Sequence, residues 1–178
     1  MLSREMQRDL LTLARAALEA RVRRAWAPHP DTGATMLLRQ GAFVTIFCKG
    51  ELRGCLGRIT SDLLLPELVR RLAEEVADSD PRFVPVTPGE LRDVALEISV
   101  LTPEWKIRSV DEIEVGRHGL IVEQGGNRGL LLPQVAVEYG WDRDTFVAQA
   151  CVKAGLAPDA WKRGAHLFVF EAQVFGEE

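Results

Sequence analysis

The chain has 178 residues, 47% of them apolar and 27% charged, and a net charge of −4. That composition belongs to a folded globular protein able to bury roughly 70% of its unfolded surface, and it excludes global disorder. An acidic chain lacks the basic face that general nucleic-acid binding needs, although a local basic pocket for a small anion stays open.

The first residues, Met1-Leu2-Ser3-Arg4-Glu5, contain no apolar run of signal-peptide length, and no later stretch is long and apolar enough to span a membrane. Cys48, Cys55 and Cys151 form no Cys-x-x-Cys pair, and the histidines at 29, 118 and 166 are scattered. A structural metal site therefore has no support, and no cofactor is expected. The expected location is the cytoplasm, with the thiols reduced.

Residues 3–24 read as an amphipathic helix capped by Ser3, with Met6, Leu10, Leu13, Ala14, Ala17 and Leu18 at helical spacing. Arg21, Arg23 and Arg24 crowd its last turn, where cations suit the helix dipole. Residues 27–33, with Pro28, His29 and Pro30, read as a loop. Ala42–Cys48 is β-branched and aromatic, Lys49-Gly50 forms a tight turn, and a second strand runs from Glu51 to about Ile59. An unbroken two-residue hairpin would set Phe47 opposite Leu52, Ile46 opposite Arg53, Val44 opposite Cys55 and Phe43 opposite Leu56. Arg53 and Cys55 would then share one side of the sheet, about 7 Å apart.

A helix is expected near residues 64–78, buried through Leu65, Leu68, Val69, Leu72 and Val76, with Arg70/Glu74 and Arg71/Glu75 paired on its outer side. Asp80–Pro85 is too rich in proline for regular structure, and Thr87-Pro88-Gly89-Glu90 reads as a capping box opening a short helix. Val94–Val100 alternates as a strand with Glu97 on its polar side. Residues 120–123 and 129–132 flank a glycine-rich turn and form a second hairpin. Pro133 starts a short helix, Asp142 or Asp144 caps another that stops at Gly155, and residues 166–174 form a last strand. Hairpins without βαβ spacing predict an α+β fold, mainly antiparallel sheet with flanking helices, over residues 1–178 as a single domain.

Arg53-Gly54-Cys55 concentrates the chemistry. A guanidinium beside a thiol favours the nucleophilic thiolate, and Gly54 and Gly57 leave bare backbone that a ligand could approach. The alternative is a small buried Cys55 with Arg53 as a structural ion-pair partner. Arg82, on the rigid Asp80–Phe83 loop, either holds an anion or closes a salt-bridged turn. Glu97 is either a general base or the partner of Arg53 or Arg82. His118 lies in a turn between elements. Gly125–Gly129 lacks the Lys-Ser/Thr of a phosphate-binding loop and reads as a hairpin turn.

Leu52-Arg53-Gly54-Cys55-Leu56-Gly57, Asp80-Pro81-Arg82-Phe83, Leu96–Thr102 and Gly129–Val135 occur in that order, followed by Gly140-Trp141-Asp142 and Cys151–Leu156. Together these blocks resemble the AMMECR-type family, whose bacterial and archaeal members are called AmmeMemoRadiSam system protein A. The resemblance runs from the first helix to the final strand. It implies a larger part built from both chain ends and a smaller inserted part. It also implies a functional surface at Arg53, Gly54, Cys55 and Gly57, and a shared pathway or complex with Memo-type and radical S-adenosylmethionine proteins. Two functions fit. The chain is an enzyme or enzyme subunit acting on a small polar or anionic metabolite, with Cys55 and Glu97 catalytic and Arg53, Gly54, Gly57, Arg82 and His118 binding. Or it is a non-catalytic scaffold in that system.

Overall fold

The structure is a computed structural model, and residues 1–26 and 37–177 are described. The expected loop at 27–33, with His29, lies outside the described residues. The chain divides into two compact units, one of residues 1–101 and 173–178, the other of residues 102–172.

The first unit opens with α1 (Arg4–Arg23), whose N-terminus is capped by the Ser3 side chain accepting from the Met6 N–H. Strands β1 (Ala42–Cys48) and β2 (Glu51–Arg58) form a hairpin, closed by Lys49 and Gly50 in left-handed backbone. Helix α2 (Leu65–Glu75) and strand β3 (Val94–Leu101) follow, and a last strand, β8 (Ala172–Gly176), completes a sheet of order β2-β1-β3-β8. Strand β1 is antiparallel to both β2 and β3. Alternation explains the core. Val44, Ile46, Leu96, Ile98 and Val100 point to one face and bury with Leu10, Ala14 and Leu18 of α1 and Leu65, Leu68, Val69 and Leu72 of α2. Arg15 and Glu177 form an ion pair, and the Leu2 N–H donates to Gln173 Oε1 at 2.7 Å. The opening helix is thereby tied to the residues after the inserted unit.

The second unit holds β4 (Trp105–Ile107), β5 (Gly119–Gln124), β6 (Asn127–Leu131) and β7 (His166–Phe170) in a sheet of order β4-β7-β5-β6. Helices α3 (Pro133–Glu138) and α4 (Arg143–Lys153) accompany it. Its separate core is built on Leu120, Val122, Phe146, Val147, Ala150, Cys151 and Val169. Asp142 is the N-cap of α4, accepting from the Thr145 N–H at 2.8 Å. Among the described residues, no helix is long and apolar enough to cross a membrane.

Four sequence expectations need correction. The β1–β2 register slips between Ile46 and Phe47, so Ile46 faces Gly54, Thr45 faces Cys55, Val44 faces Leu56 and Phe43 faces Gly57. Arg53 is the extra residue of a β-bulge, which breaks the strict alternation that placed it in register. Residues 166–174 are not one strand, because the chain passes between sheets at Glu171 and splits into β7 and β8. Thr87–Glu90 closes a turn ahead of a single 3-10 turn at Leu91–Asp93, so the helical start lies later than expected. On α2, Arg70 reaches Glu74, but Arg71 turns to Glu67 and Glu75 is drawn instead to Arg58 of β2. Strand β4 carries too short an apolar signal to be anticipated.

Candidate functional site

The outer edge of β2 is a row of backbone groups that β1 does not use, and the Asp80–Glu90 segment occupies it. The Cys55 N–H donates to Asp80 Oδ2 at 2.9 Å, and Arg82 Nη2 donates to the Cys55 carbonyl at 3.3 Å. Asp80 is buried and also accepts from the Arg82 backbone N–H and from Arg82 Nε and Nη2. The Arg82 guanidinium, helped by the two backbone donors, outweighs burial and holds the Asp80 carboxyl well below its ordinary range. Covering an edge strand with a charged loop removes a template for unwanted pairing.

Arg53 is anchored in the same segment. Its Nε donates to Glu90 Oε1 at 2.8 Å and its Nη2 to the Pro85 carbonyl at 3.3 Å. Glu90 also accepts from the Thr87 N–H and hydroxyl, and these bonds, Arg53 foremost, pull its pKa down to about 2. Arg53 and Arg82 both lie against the Phe83 ring, with Cζ 5.9 and 5.5 Å from its centroid. A hollow of about 400 Å³ opens beside Arg53 and Glu90, lined by Cys48, Lys49, Glu51 and Leu52 as well. Cys55 is not among its walls.

Cys55 projects from the sheet face opposite the helices. Thr45 Oγ1 donates to Cys55 Sγ at 3.2 Å, and Thr45 also pairs with Glu97 on β3. Cys55, Thr45 and Glu97 therefore form one row across three adjacent strands, all half-buried. Glu97 pairs with neither Arg53 nor Arg82, and among the described residues its side chain has no hydrogen-bond or ion-pair partner. Arg82 is coupled electrostatically to Cys55, a contact that adds to Asp80 in raising the arginine's pKa.

The motif glycines are filled by the chain itself. A Cβ at Gly57 would lie 2.1 Å from Cδ1 of Phe43, so the ring occupies the space a side chain would need. At Gly54 the Cβ would meet Val76 Cγ2 at 3.1 Å and Ile46 Cγ1 at 3.2 Å. Both positions need glycine for packing within the first unit.

His118 belongs to the second unit. It is buried, its Nδ1 accepts from the Glu114 N–H at 3.1 Å, its ring meets Trp105 edge-on at 5.5 Å, and its Nε2 lies 3.8 Å from Glu171 Oε1. Arg53, Gly54, Cys55, Gly57, Arg82 and Glu97 all lie in the first unit. The residues that sequence reasoning passed over are Thr45 and Glu90. Thr45 is hidden by the bulge that moves it opposite Cys55, and Glu90 reads only as a capping residue. Among the described residues, no cluster of three or more His, Cys, Asp or Glu could hold a metal ion.

The order and spacing of these segments are matched by known proteins. The AMMECR1 family model matches residues 11–175. This chain belongs to the AMMECR1 family. A protein of Methanosarcina mazei is 39% identical over 188 residues, spanning 100% of this chain and 94% of its own length. A protein of Thermofilum pendens is 44% identical over 195 residues, spanning 99% and 92%. The crystal structure of uncharacterized protein PH0010 from Pyrococcus horikoshii superposes with a TM-score of 0.80 at 41% identity, covering 95% of this chain and 90% of that one. The AMMECR1 fold of this chain is thus the α+β arrangement of two four-stranded sheets described above.

Proposed function

We propose that the Cys55–Thr45–Glu97 row is a thiol-dependent site for a small polar or anionic metabolite, with the chain acting as an enzyme or enzyme subunit. Cys55 supplies the nucleophile or acid/base, the Thr45 hydroxyl steadies the sulfur, and Glu97 is the carboxylate left to exchange a proton. Arg82, which donates to the Cys55 carbonyl, sets the strand beside the thiol, while Arg53 and Glu90 brace it. The observation that carries this reading is the Thr45 Oγ1–Cys55 Sγ contact in a row that ends at an unpartnered carboxylate. The family resemblance supports a place beside Memo-type and radical S-adenosylmethionine proteins, and the reduced thiols a place in the cytoplasm.

The test is the rate of Cys55 alkylation by iodoacetamide near neutral pH, followed by peptide mass spectrometry. Thr45→Val and Arg82→Gln should each slow it by about threefold or more, with Thr45→Ser restoring the rate. Rates indifferent to both substitutions would overturn the proposal.

The scaffold reading is favoured by a different observation: the Arg53–Glu90 and Arg82–Asp80 pairs commit both motif cations internally. On that reading Cys55→Ala leaves a system reconstituted with the Memo-type and radical S-adenosylmethionine proteins fully active. Loss of activity with assembly intact would exclude it.

A further inference from the structure

The second unit contains a hollow of about 600 Å³ where β4 and β7 run out into their adjoining loops. Lys106 and Arg108 come from the end of β4, Lys162 from the 3-10 turn at Ala160–Arg163, and His166 from the start of β7. Among the described residues, no carboxylate lines it. The Ser109 hydroxyl is committed to Asp111, donating to Oδ2 and accepting from the backbone N–H, each at 3.1 Å, and Trp161, Ile107 and Leu167 supply an apolar wall.

The charge pattern is unusual for this chain, which carries 26 acidic against 22 basic residues and pairs its cations readily. Arg15, Arg53, Arg82, Arg117, Arg128, Arg143 and Arg163 all hold carboxylates. Among the described residues, the side chains of Lys106 and Arg108 make no hydrogen bond or ion pair. Glu112, the electrostatic neighbour of Arg108, is committed to the backbone N–H groups of Arg108 and Ser109 at 2.8 and 3.0 Å. Asp159, near Lys162, is held by Arg163 at 3.0 Å. Lys162 sits over the Trp161 ring, Nζ 4.8 Å from its centroid, which positions its ammonium without neutralising it.

We infer that this hollow binds a phosphorylated small molecule. Three cations lining one hollow call for more negative charge than one carboxylate carries. A volume within the ordinary range of ligand pockets leaves room for an organic portion against the tryptophan and aliphatic wall. The inference concerns the second unit alone and does not depend on the chemistry of Cys55.

The test is isothermal titration of the full chain with inorganic pyrophosphate at low ionic strength. Saturable one-to-one binding should weaken at least about tenfold in the Lys106→Ala/Lys162→Ala double variant and in Arg108→Ala, with thermal midpoints unchanged because these side chains are exposed. Lys153→Ala, which removes an exposed cation from the end of α4, should leave binding unchanged. Absence of saturable binding, or equal weakening by Lys153→Ala, would overturn the inference. So would a short single-stranded RNA that binds more tightly than pyrophosphate through the same residues, since the site would then belong to nucleic acid.

Discussion

The conspicuous motif of the first unit and the basic hollow of the second treat positive charge in opposite ways. In the first, the guanidinium groups of the most conspicuous motif are spent inside the protein: Arg53 on Glu90 and Arg82 on buried Asp80, together fastening a loop along the edge of β2. In the second, Lys106, Arg108 and Lys162 line a hollow whose walls, among the described residues, hold no carboxylate. A motif that stands out in sequence can thus be architecture at its charged positions, while ligand-ready charge collects where no motif announces it. In the row on the open face of that sheet, Cys55 and Thr45 bond to each other, and among the described residues the Glu97 carboxylate has no partner.

Breaking the internal pairing should produce the largest effect. Asp80→Ala strips four donors of their shared acceptor and should cost about 3 kcal/mol in chemical denaturation, with the Cys55 and Arg82 N–H groups left without it. A cost below about 1 kcal/mol would mean that the loop is not what secures the β2 edge. Gly57→Ala should cost about 2 kcal/mol by displacing the Phe43 ring, and Phe43→Leu in the same chain should recover part of it. Gly54→Ala, whose contacts are looser, should cost less.

Acid should dissolve the same contacts gradually. Glu90 and Asp80 both titrate lower in the folded chain than in the unfolded one, so each stabilises the fold above its unfolded pKa. For Glu90 that contribution disappears as pH falls from 4.5 toward about 2. The thermal midpoint should drop across that window, and Glu90→Gln should make the drop shallower. The smallest effect is expected in the other unit, where Lys106→Ala should alter stability by no more than about 0.5 kcal/mol while abolishing much of the pyrophosphate binding.

Much of this arrangement was legible beforehand because local physics governed it. The alternation of Val94–Val100 and the spacing of Leu65, Leu68, Val69 and Leu72 placed the core of the first unit correctly. Ser3 marked one helix start, and of the two candidate caps for α4, Asp142 and Asp144, the structure uses Asp142. The register of the hairpin was not legible, because a one-residue bulge at Arg53 carries no mark of its own in a strand of this composition. Nor could spacing reveal that Glu90 would meet Arg53, or that Asp80 would meet the Cys55 backbone, since these contacts join segments distant along the chain. The basic hollow draws on two stretches separated by two strands and two helices, each unremarkable by itself.

The passage between sheets at Glu171 bears on how the protein is made. Strand β3 leaves the ribosome well before β8, its neighbour in the sheet, because the whole inserted unit is translated between them. Until residues 172–177 emerge, the nascent first unit presents a bare strand margin beside an unfinished core, and α1 waits without the Glu177 carboxylate that holds Arg15.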